Sequence, residues 1–132
     1  MTPQLQTIFS DKSKGIFGNC LSACLATLTD MPVNYVPYFR GMSNPAPAIK
    51  EYLNSRNMNF DGYKYDLPAD WGTKFTGVDG YVIVGGPSPR FKSRNQTHAV
   101  IYRYGQPFFD PHPESNFLKN GQINRIYLIT RK

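Results

Sequence analysis

The segment Cys20–Thr29 restricts the fold more than any other part of the chain. It carries no charged side chain, and Leu21, Leu25 and Leu28 recur at helical spacing with alanines between them. Asp30-Met31-Pro32 follows, and a proline disfavours helical geometry at the residue before it. The pattern predicts a short helix that is apolar on all sides, so the rest of the chain has to bury it.

The C-terminal half supplies candidate strands that would cover this helix. Tyr81–Val84 is a short apolar run, and His98–Tyr104 is rich in residues that favour strands. Gly105 predicts a turn from the second run into Pro107–Asp110, which makes a hairpin. Ile123–Thr130 alternates loosely and predicts a last strand. These runs together indicate an antiparallel sheet.

Two further segments complete the predicted architecture. A second helix is expected over Ala46–Arg56, with Asn44-Pro45 as its start signal, and Gly85–Thr97 reads as a long loop. A loop of that length in a compact domain is often functional. We therefore predict an α+β fold in which residues 1–132 form a single domain.

Composition narrows the class of protein. The chain has 132 residues, a size typical of one domain, and its nine Tyr and nine Phe are too many for a disordered chain. It has no run of about 18 apolar residues, so we expect no membrane contact, and its polar start does not resemble a secretory signal. Two cysteines four positions apart do not suit a disulfide scaffold. These features predict a cytoplasmic protein with free thiols.

Basic residues are in excess but are not concentrated on one element. The net charge of +6 attracts anionic partners weakly, and without a basic helix or ribbon nucleic acid is a disfavoured partner. The segment before His98 nevertheless contains Arg90, Lys92 and Arg94. We expect these three side chains to bind a carboxylate, a phosphate or an acidic tail of a substrate.

Cys20 has the position of an activated thiol. It follows Gly18-Asn19 in the first turn of the predicted helix, where free N–H groups and a partial positive charge stabilise a thiolate and lower its pKa. The same N–H groups can receive the oxyanion that develops on an attacked carbonyl. Cys24 lies one turn further along, inside the helix, where we expect it to pack.

A thiol nucleophile needs an imidazole to take its proton and a third group to orient that imidazole. His98 opens a predicted strand, and Asp110 lies across the predicted hairpin, so their side chains are within reach of each other. The chain order therefore predicts a triad of Cys20, His98 and Asp110. His112 competes for the role of base, but its flanking prolines favour a place in the wall of the substrate pocket.

Four strings of residues together resemble one family. Gly18–Ala26, Val36–Phe39, His98–Tyr102 and Asp110–Pro113 look like small papain-like cysteine peptidase-fold proteins of bacteria and bacteriophages. These are similar to the peptidases that process bacteriocin leaders, and the resemblance extends from Gln6 to Ser115. It implies a papain-like fold with a buried nucleophile helix on an antiparallel sheet, no cofactor, and a peptide or protein substrate.

The resemblance also implies roles for individual residues. It places the nucleophile on Cys20, the base on His98 and the orienting group on Asp110, the same three residues that the chemistry selects. In the family a glutamine before the nucleophile completes the oxyanion hole, for which Gln6 is the candidate and Asn19 the second choice. The implied function is a thiol-dependent hydrolase that cleaves an amide, isopeptide or thioester bond; acyl transfer uses the same triad.

Three alternatives remain beside this interpretation. A non-catalytic binding protein on the same fold, such as a phage-type inhibitor of a host factor, would use the same cleft. A zinc site would take Cys20, Cys24, His98 and His112, although this spacing matches no compact zinc finger. A nucleic-acid binder rests on the net charge alone. The sequence leaves the substrate and the oligomeric state open.

Overall fold

The computed structural model describes residues 2–14, 17–64, 68–90 and 97–132. Within these residues the chain forms three α-helices and five strands. The helices are α1 (Cys20–Thr29), α2 (Ala46–Asn54) and α3 (Trp71–Lys74). The strands are β1 (Met58–Lys64), β2 (Tyr81–Pro87), β3 (Thr97–Arg103), β4 (Gln106–Phe109) and β5 (Arg125–Arg131). None of these helices is long and apolar enough to cross a bilayer.

The five strands form one antiparallel sheet in the order β1-β5-β2-β3-β4. Helix α1 packs on β3 and helix α2 packs on β1. Successive side chains of a strand point to opposite faces. Ile83 and Ile101 accordingly join the core that contains the two helices, while Val84 and Val100 join a second core. The mixture of helices and antiparallel sheet confirms the predicted α+β class.

Helix α1 has the predicted bounds. All its residues from 22 to 28 are buried, as expected for a helix without a polar face. Asp30 follows in the left-handed conformation, and its N–H donates to the carbonyl groups of Ala26 and Thr27. This arrangement ends the helix and satisfies its last carbonyls. Helix α2 begins at the predicted Ala46 but ends at Asn54, two residues early.

The predicted hairpin is present and positions Asp110. Arg103 pairs with Gln106, so the turn consists of Tyr104 and Gly105, both with positive φ (49° and 79°). That geometry is a type I′ turn, whose twist matches that of the flanking strands. Because β4 runs back along β3, Asp110 comes to lie near the start of β3.

The sequence prediction misses two elements and is wrong about some boundaries, among them the end of α2 and the start of the loop before β3. Strand β1 is an edge strand, and its alternation of apolar and polar residues, Met58 to Asp61, is broken after four residues by Gly62. Helix α3 is a single turn, too short for a periodic pattern. The predicted loop Gly85–Thr97 starts too early, because β2 continues to Pro87 and pairs there with the first residue of β3.

Two neighbouring glycines of β2 provide a test of the packing. A Cβ at Gly86 would lie 2.1 Å from the carbonyl oxygen of Gln122, whereas a Cβ at Gly85 would meet nothing closer than 3.5 Å. We expect Gly86→Ala to lower the free energy of unfolding by about 1–3 kcal/mol, because backbone must move. Gly85→Ala should change it by less than about 1 kcal/mol. Urea unfolding followed by circular dichroism measures both, and equal stabilities would contradict the packing.

Candidate active site

The Cys20 thiol lies at the start of α1, where backbone N–H groups have no acceptor within the helix. The N–H of Ala99 in β3 donates to Cys20 Sγ at 3.3 Å, and the backbone of Leu21 in α1 also lowers the pKa of this thiol. The side chain is partly exposed and lines a cavity. Backbone donors from a helix and from a strand therefore stabilise negative charge on the sulfur.

Cys20 and Cys24 both contact Ala99, Cys20 at its N–H and Cys24 at its carbonyl group. The Cys24 Sγ lies 3.6 Å from the carbonyl oxygen of Ala99 and donates to it. Burial, and then the charges of Cys20 and Asp110, raise the pKa of the Cys24 thiol well above its ordinary value. Cys24 is thus an unreactive packing residue, and the two thiols together fix α1 against one residue of β3.

His98 and Asp110 form a buried pair. His98 Nε2 lies 2.6 Å from Asp110 Oδ1, and the two residues are 4% and 2% exposed. The same carboxylate accepts the N–H of His112 at 2.9 Å and the N–H of Phe117 at 2.8 Å. Three donors replace the water that burial removes from this charge.

The His98 imidazole and the Cys20 thiol line the same cavity, and each shifts the pKa of the other toward its charged form. Because Nε2 is bound to Asp110, Nδ1 is the ring nitrogen left for the thiol. The groups are therefore arranged in the order carboxylate, imidazole, thiol. This order is the one in which an orienting group, a base and a nucleophile act together.

The environment shifts all three pKa values toward the charged forms. Burial alone raises the pKa of the Cys20 thiol, but His98 and the N–H groups of Ala99 and Leu21 outweigh it and lower the pKa. Burial lowers the pKa of His98, but Asp110 and Cys20 raise it to about 9. Burial likewise raises the pKa of Asp110, and His98 with two backbone donors lowers it. At neutral pH these shifts favour a thiolate facing an imidazolium.

The two predicted oxyanion residues have different surroundings, and Asn19 is an anchor. Its Oδ1 accepts the N–H groups of Thr7 and Ile8 at 3.0 and 2.8 Å, and its Nδ2 donates to the Thr7 hydroxyl at 2.9 Å. The Asn19 side chain thereby fixes the N-terminal segment to the start of α1. The oxyanion role of Asn19 stays a prediction.

The Gln6 amide lies beside the start of α1. Its Nε2 donates to the carbonyl of Ile8 at 2.9 Å, and a Cβ at Gly18 would lie 3.0 Å from it. The Gln6 N–H donates to the carbonyl of Pro111, which links this segment to the turn after Asp110. Nothing else tests the oxyanion role of Gln6, which stays a prediction.

The predicted substrate-binding cations are described only in part. Lys92 and Arg94 lie outside the described residues. Arg90 lines a cavity of about 60 Å³ together with Gln6 and His112. Arg90 Nη1 and Gln6 Oε1 are buried, and neither has a hydrogen-bond partner within the described ranges. A polar group of a ligand or a water molecule would satisfy both atoms.

His112 lies next to His98. Its ring packs edge-on against the rings of Phe9 and His98, with centroids 5.3 and 6.3 Å away. Its Nδ1 accepts the N–H of Glu114 at 3.1 Å. Burial and the positive charge of Arg90 lower the pKa of His112. These contacts place His112 in the wall of the smaller cavity and leave His98 as the imidazole that faces the thiol.

The residues of the zinc alternative do not converge on one point. Cys20 and Cys24 contact opposite ends of Ala99. In the part of the chain that the structure describes, no group of three or more His, Cys, Asp or Glu side chains could hold a metal ion.

A cavity of about 90 Å³ opens over Cys20 and His98. Sequence analysis did not select Arg40, Arg125 and Tyr127, which also line it. Arg125 reaches the cavity because it lies opposite Gly85 where β5 pairs with β2, and a local sequence pattern cannot reveal this strand register.

Comparison with protein-family models, with curated proteins and with solved structures finds no match for this chain.

The protonation of His98 depends on Asp110. We expect the wild-type imidazole to keep its proton up to about pH 9, as its raised pKa requires. Asp110→Asn keeps an acceptor for Nε2 but removes the negative charge, so the pKa of His98 should fall. NMR titration of the imidazole measures the shift, with His112→Asn as the control that keeps the carboxylate. An unchanged His98 pKa in Asp110→Asn would contradict the pairing.

The same shift predicts a pH dependence of stability. The folded-state pKa of His98 is above the unfolded value of about 6.5. The stabilisation from this group is therefore fully present below about pH 6.5 and is lost as pH rises through about 9. In Asp110→Asn this loss should become smaller. Urea midpoints of both proteins between pH 6 and 10 measure the difference, and parallel curves would contradict it.

Proposed function

We propose that this chain is a papain-like thiol hydrolase, a cysteine peptidase or amidase, that cleaves an amide, isopeptide or thioester bond. The observation that carries the proposal is the buried His98–Asp110 hydrogen bond next to the Cys20 thiol, with His98 and Cys20 lining one open cavity at the start of α1. Strongly shifted pKa values in a cleft are typical of catalytic groups. The pKa shifts of Cys20, His98 and Asp110 therefore support the same function.

The first half of the reaction forms an acyl-enzyme. The Cys20 thiolate attacks the substrate carbonyl, and a C–S bond forms as negative charge develops on the carbonyl oxygen. The N–H of Cys20, together with the Gln6 amide, donates to that oxygen. His98 Nδ1 gives its proton to the leaving nitrogen or sulfur, whose bond to carbon breaks. A thioester on Cys20 and a neutral imidazole remain.

The second half releases the acyl group. Neutral His98 takes a proton from a water molecule, whose oxygen attacks the thioester carbonyl. The C–S bond breaks, and the thiolate and imidazolium are restored. An amine in place of water gives acyl transfer with the same residues. Throughout, Asp110 holds the ring in one orientation and stabilises its protonated form.

A binding protein on the same fold is the alternative function. Binding requires the cleft but does not require a thiol of lowered pKa next to a histidine of raised pKa. The shifted pKa values favour catalysis for this reason. Retention of the biological effect in Cys20→Ala would instead support binding alone.

Alkylation of Cys20 by iodoacetamide tests the thiolate. A free thiol has a pKa of about 8.5 and loses reactivity tenfold for each pH unit below it. We expect native Cys20 to react rapidly well below pH 8. His98→Ala removes the hydrogen bond and the charge that lower the pKa, so labelling at pH 6 should slow on the order of 100-fold.

Mass spectrometry of the alkylated peptides reads both cysteines in one sample. Cys24 is the internal control, because it is buried with a raised pKa and should react only after unfolding. Circular dichroism establishes that His98→Ala is folded. An ordinary thiol pH profile for Cys20, unchanged in His98→Ala, would exclude the proposed pair.

Acylation by p-nitrophenyl acetate tests nucleophilic catalysis. We expect a burst of about one nitrophenolate per chain, with the acetyl group on Cys20, because covalent catalysis accumulates an acyl-enzyme. Cys20→Ser should abolish the burst, and Cys24→Ser should retain it. A burst that survives in Cys20→Ser would refute the assignment of the nucleophile.

A further inference from the structure

The cavity over Cys20 continues into a larger groove. The groove has a volume of about 490 Å³ and lies between α1, α2, β1 and β5. Leu21, Pro45, Arg125 and Tyr127 line both the cavity and the groove. A chain whose carbonyl is at the thiol therefore has a continuous path along the protein surface.

The floor of the groove is apolar. Ile49 and Phe60 are almost fully buried, and Phe60 stacks on Tyr127 with ring centroids 6.1 Å apart. Gly62 of β1 also lines the groove and contributes no side chain that would fill it. An apolar floor with a few polar groups at its edge is typical of a ligand site and suits an aliphatic or aromatic side chain.

The border of this path is cationic. Arg40 and Arg125 line the cavity at the thiol, and Lys50 and Arg125 line the groove. No Asp or Glu is among the described residues that line either space, and no ion pair among described residues involves these three cations. Arg40 stacks over Phe17 at 4.6 Å, which holds it at the opening. A cleft lined by one sign of charge concentrates ligands of the opposite sign.

We infer that the acyl side of the substrate is an acidic peptide segment. A large apolar side chain occupies the groove floor, and a carboxylate on a neighbouring residue contacts Arg125 and Lys50. In an extended peptide successive side chains point to opposite sides, so one can enter the groove while its neighbours reach the cationic border. This inference rests on the proposed hydrolase function, because it assigns a substrate class to the same site.

Peptidyl chloromethyl ketones that alkylate Cys20 test the substrate class. Acetyl-Glu-Leu-Gly, acetyl-Gln-Leu-Gly and acetyl-Lys-Leu-Gly chloromethyl ketones differ in one charge. We expect labelling rates in the order Glu, Gln, Lys, with the first at least about tenfold faster than the last at low salt, and a smaller ratio in high salt. The acetyl-Glu-Ala-Gly compound should react more slowly than its Leu counterpart, because it leaves the apolar floor uncovered.

Charge reversal assigns the preference to the groove. Lys50→Glu and Arg125→Glu should each reduce or invert the ratio of Glu to Lys labelling. Lys132→Glu changes the net charge equally at an exposed residue that lines neither space, and it should leave the ratio unchanged. Equal loss of preference in Lys132→Glu would overturn the role of the groove. If Arg125→Glu does not fold, Lys50→Glu decides.

Iodoacetamide separates this inference from the proposed function. The inference of an acidic substrate is overturned if the Glu, Gln and Lys compounds label Cys20 at equal rates, or if the Lys compound is fastest. In that case iodoacetamide still reports a thiolate at low pH. An ordinary thiol profile with iodoacetamide overturns the hydrolase function itself. Faster labelling by the Glu compound, lost in Lys50→Glu, is the result that supports the inference.

Discussion

The buried carboxylate of Asp110 is the charge around which the site is arranged. An ion removed from water costs several kcal/mol unless donors surround it. His98 Nε2 and the N–H groups of His112 and Phe117 supply those donors. Meeting this requirement joins β3 to the loop after β4 and turns the imidazole toward Cys20. The bonds that make the buried charge tolerable thus include the bond that orients the His98 imidazole.

Much of the fold follows from local patterns in the sequence. The predicted bounds of α1 match the structure because an uncharged helix-forming segment is followed closely by a proline. The predicted hairpin matches because Gly105 supplies a positive φ between two strand-forming runs. Strand β1 was not predicted because it pairs with β5, which is far away in the sequence, and because the pattern of its own polar residues is too weak to indicate a strand. An edge strand of this kind is recognised from the strand that it pairs with, and here the paired residues lie more than 60 positions apart in the chain.

The candidate site shows the same division between local chemistry and long-range geometry. The residue types and their order were enough to predict that Cys20, His98 and Asp110 lie together, because the chain has only two cysteines and two histidines from which to choose. The hydrogen bonds of Asn19 to Thr7 and Ile8 were not foreseen, because these partners are 12 and 11 residues away in a segment without a pattern of its own. The groove was not foreseen, since four separate elements line it and only strand register brings Arg125 to the thiol.

The contact between Cys20 and Ala99 spans 79 residues of chain. Synthesis proceeds from the N-terminus, so Cys20 is made long before the strand whose N–H donates to its sulfur. Contacts between residues so far apart form late, after the local helix and hairpin. On the nascent chain Cys20 therefore lacks the Ala99 N–H and the His98 imidazole that lower its pKa, and the thiol acquires these neighbours only when β3 docks against α1.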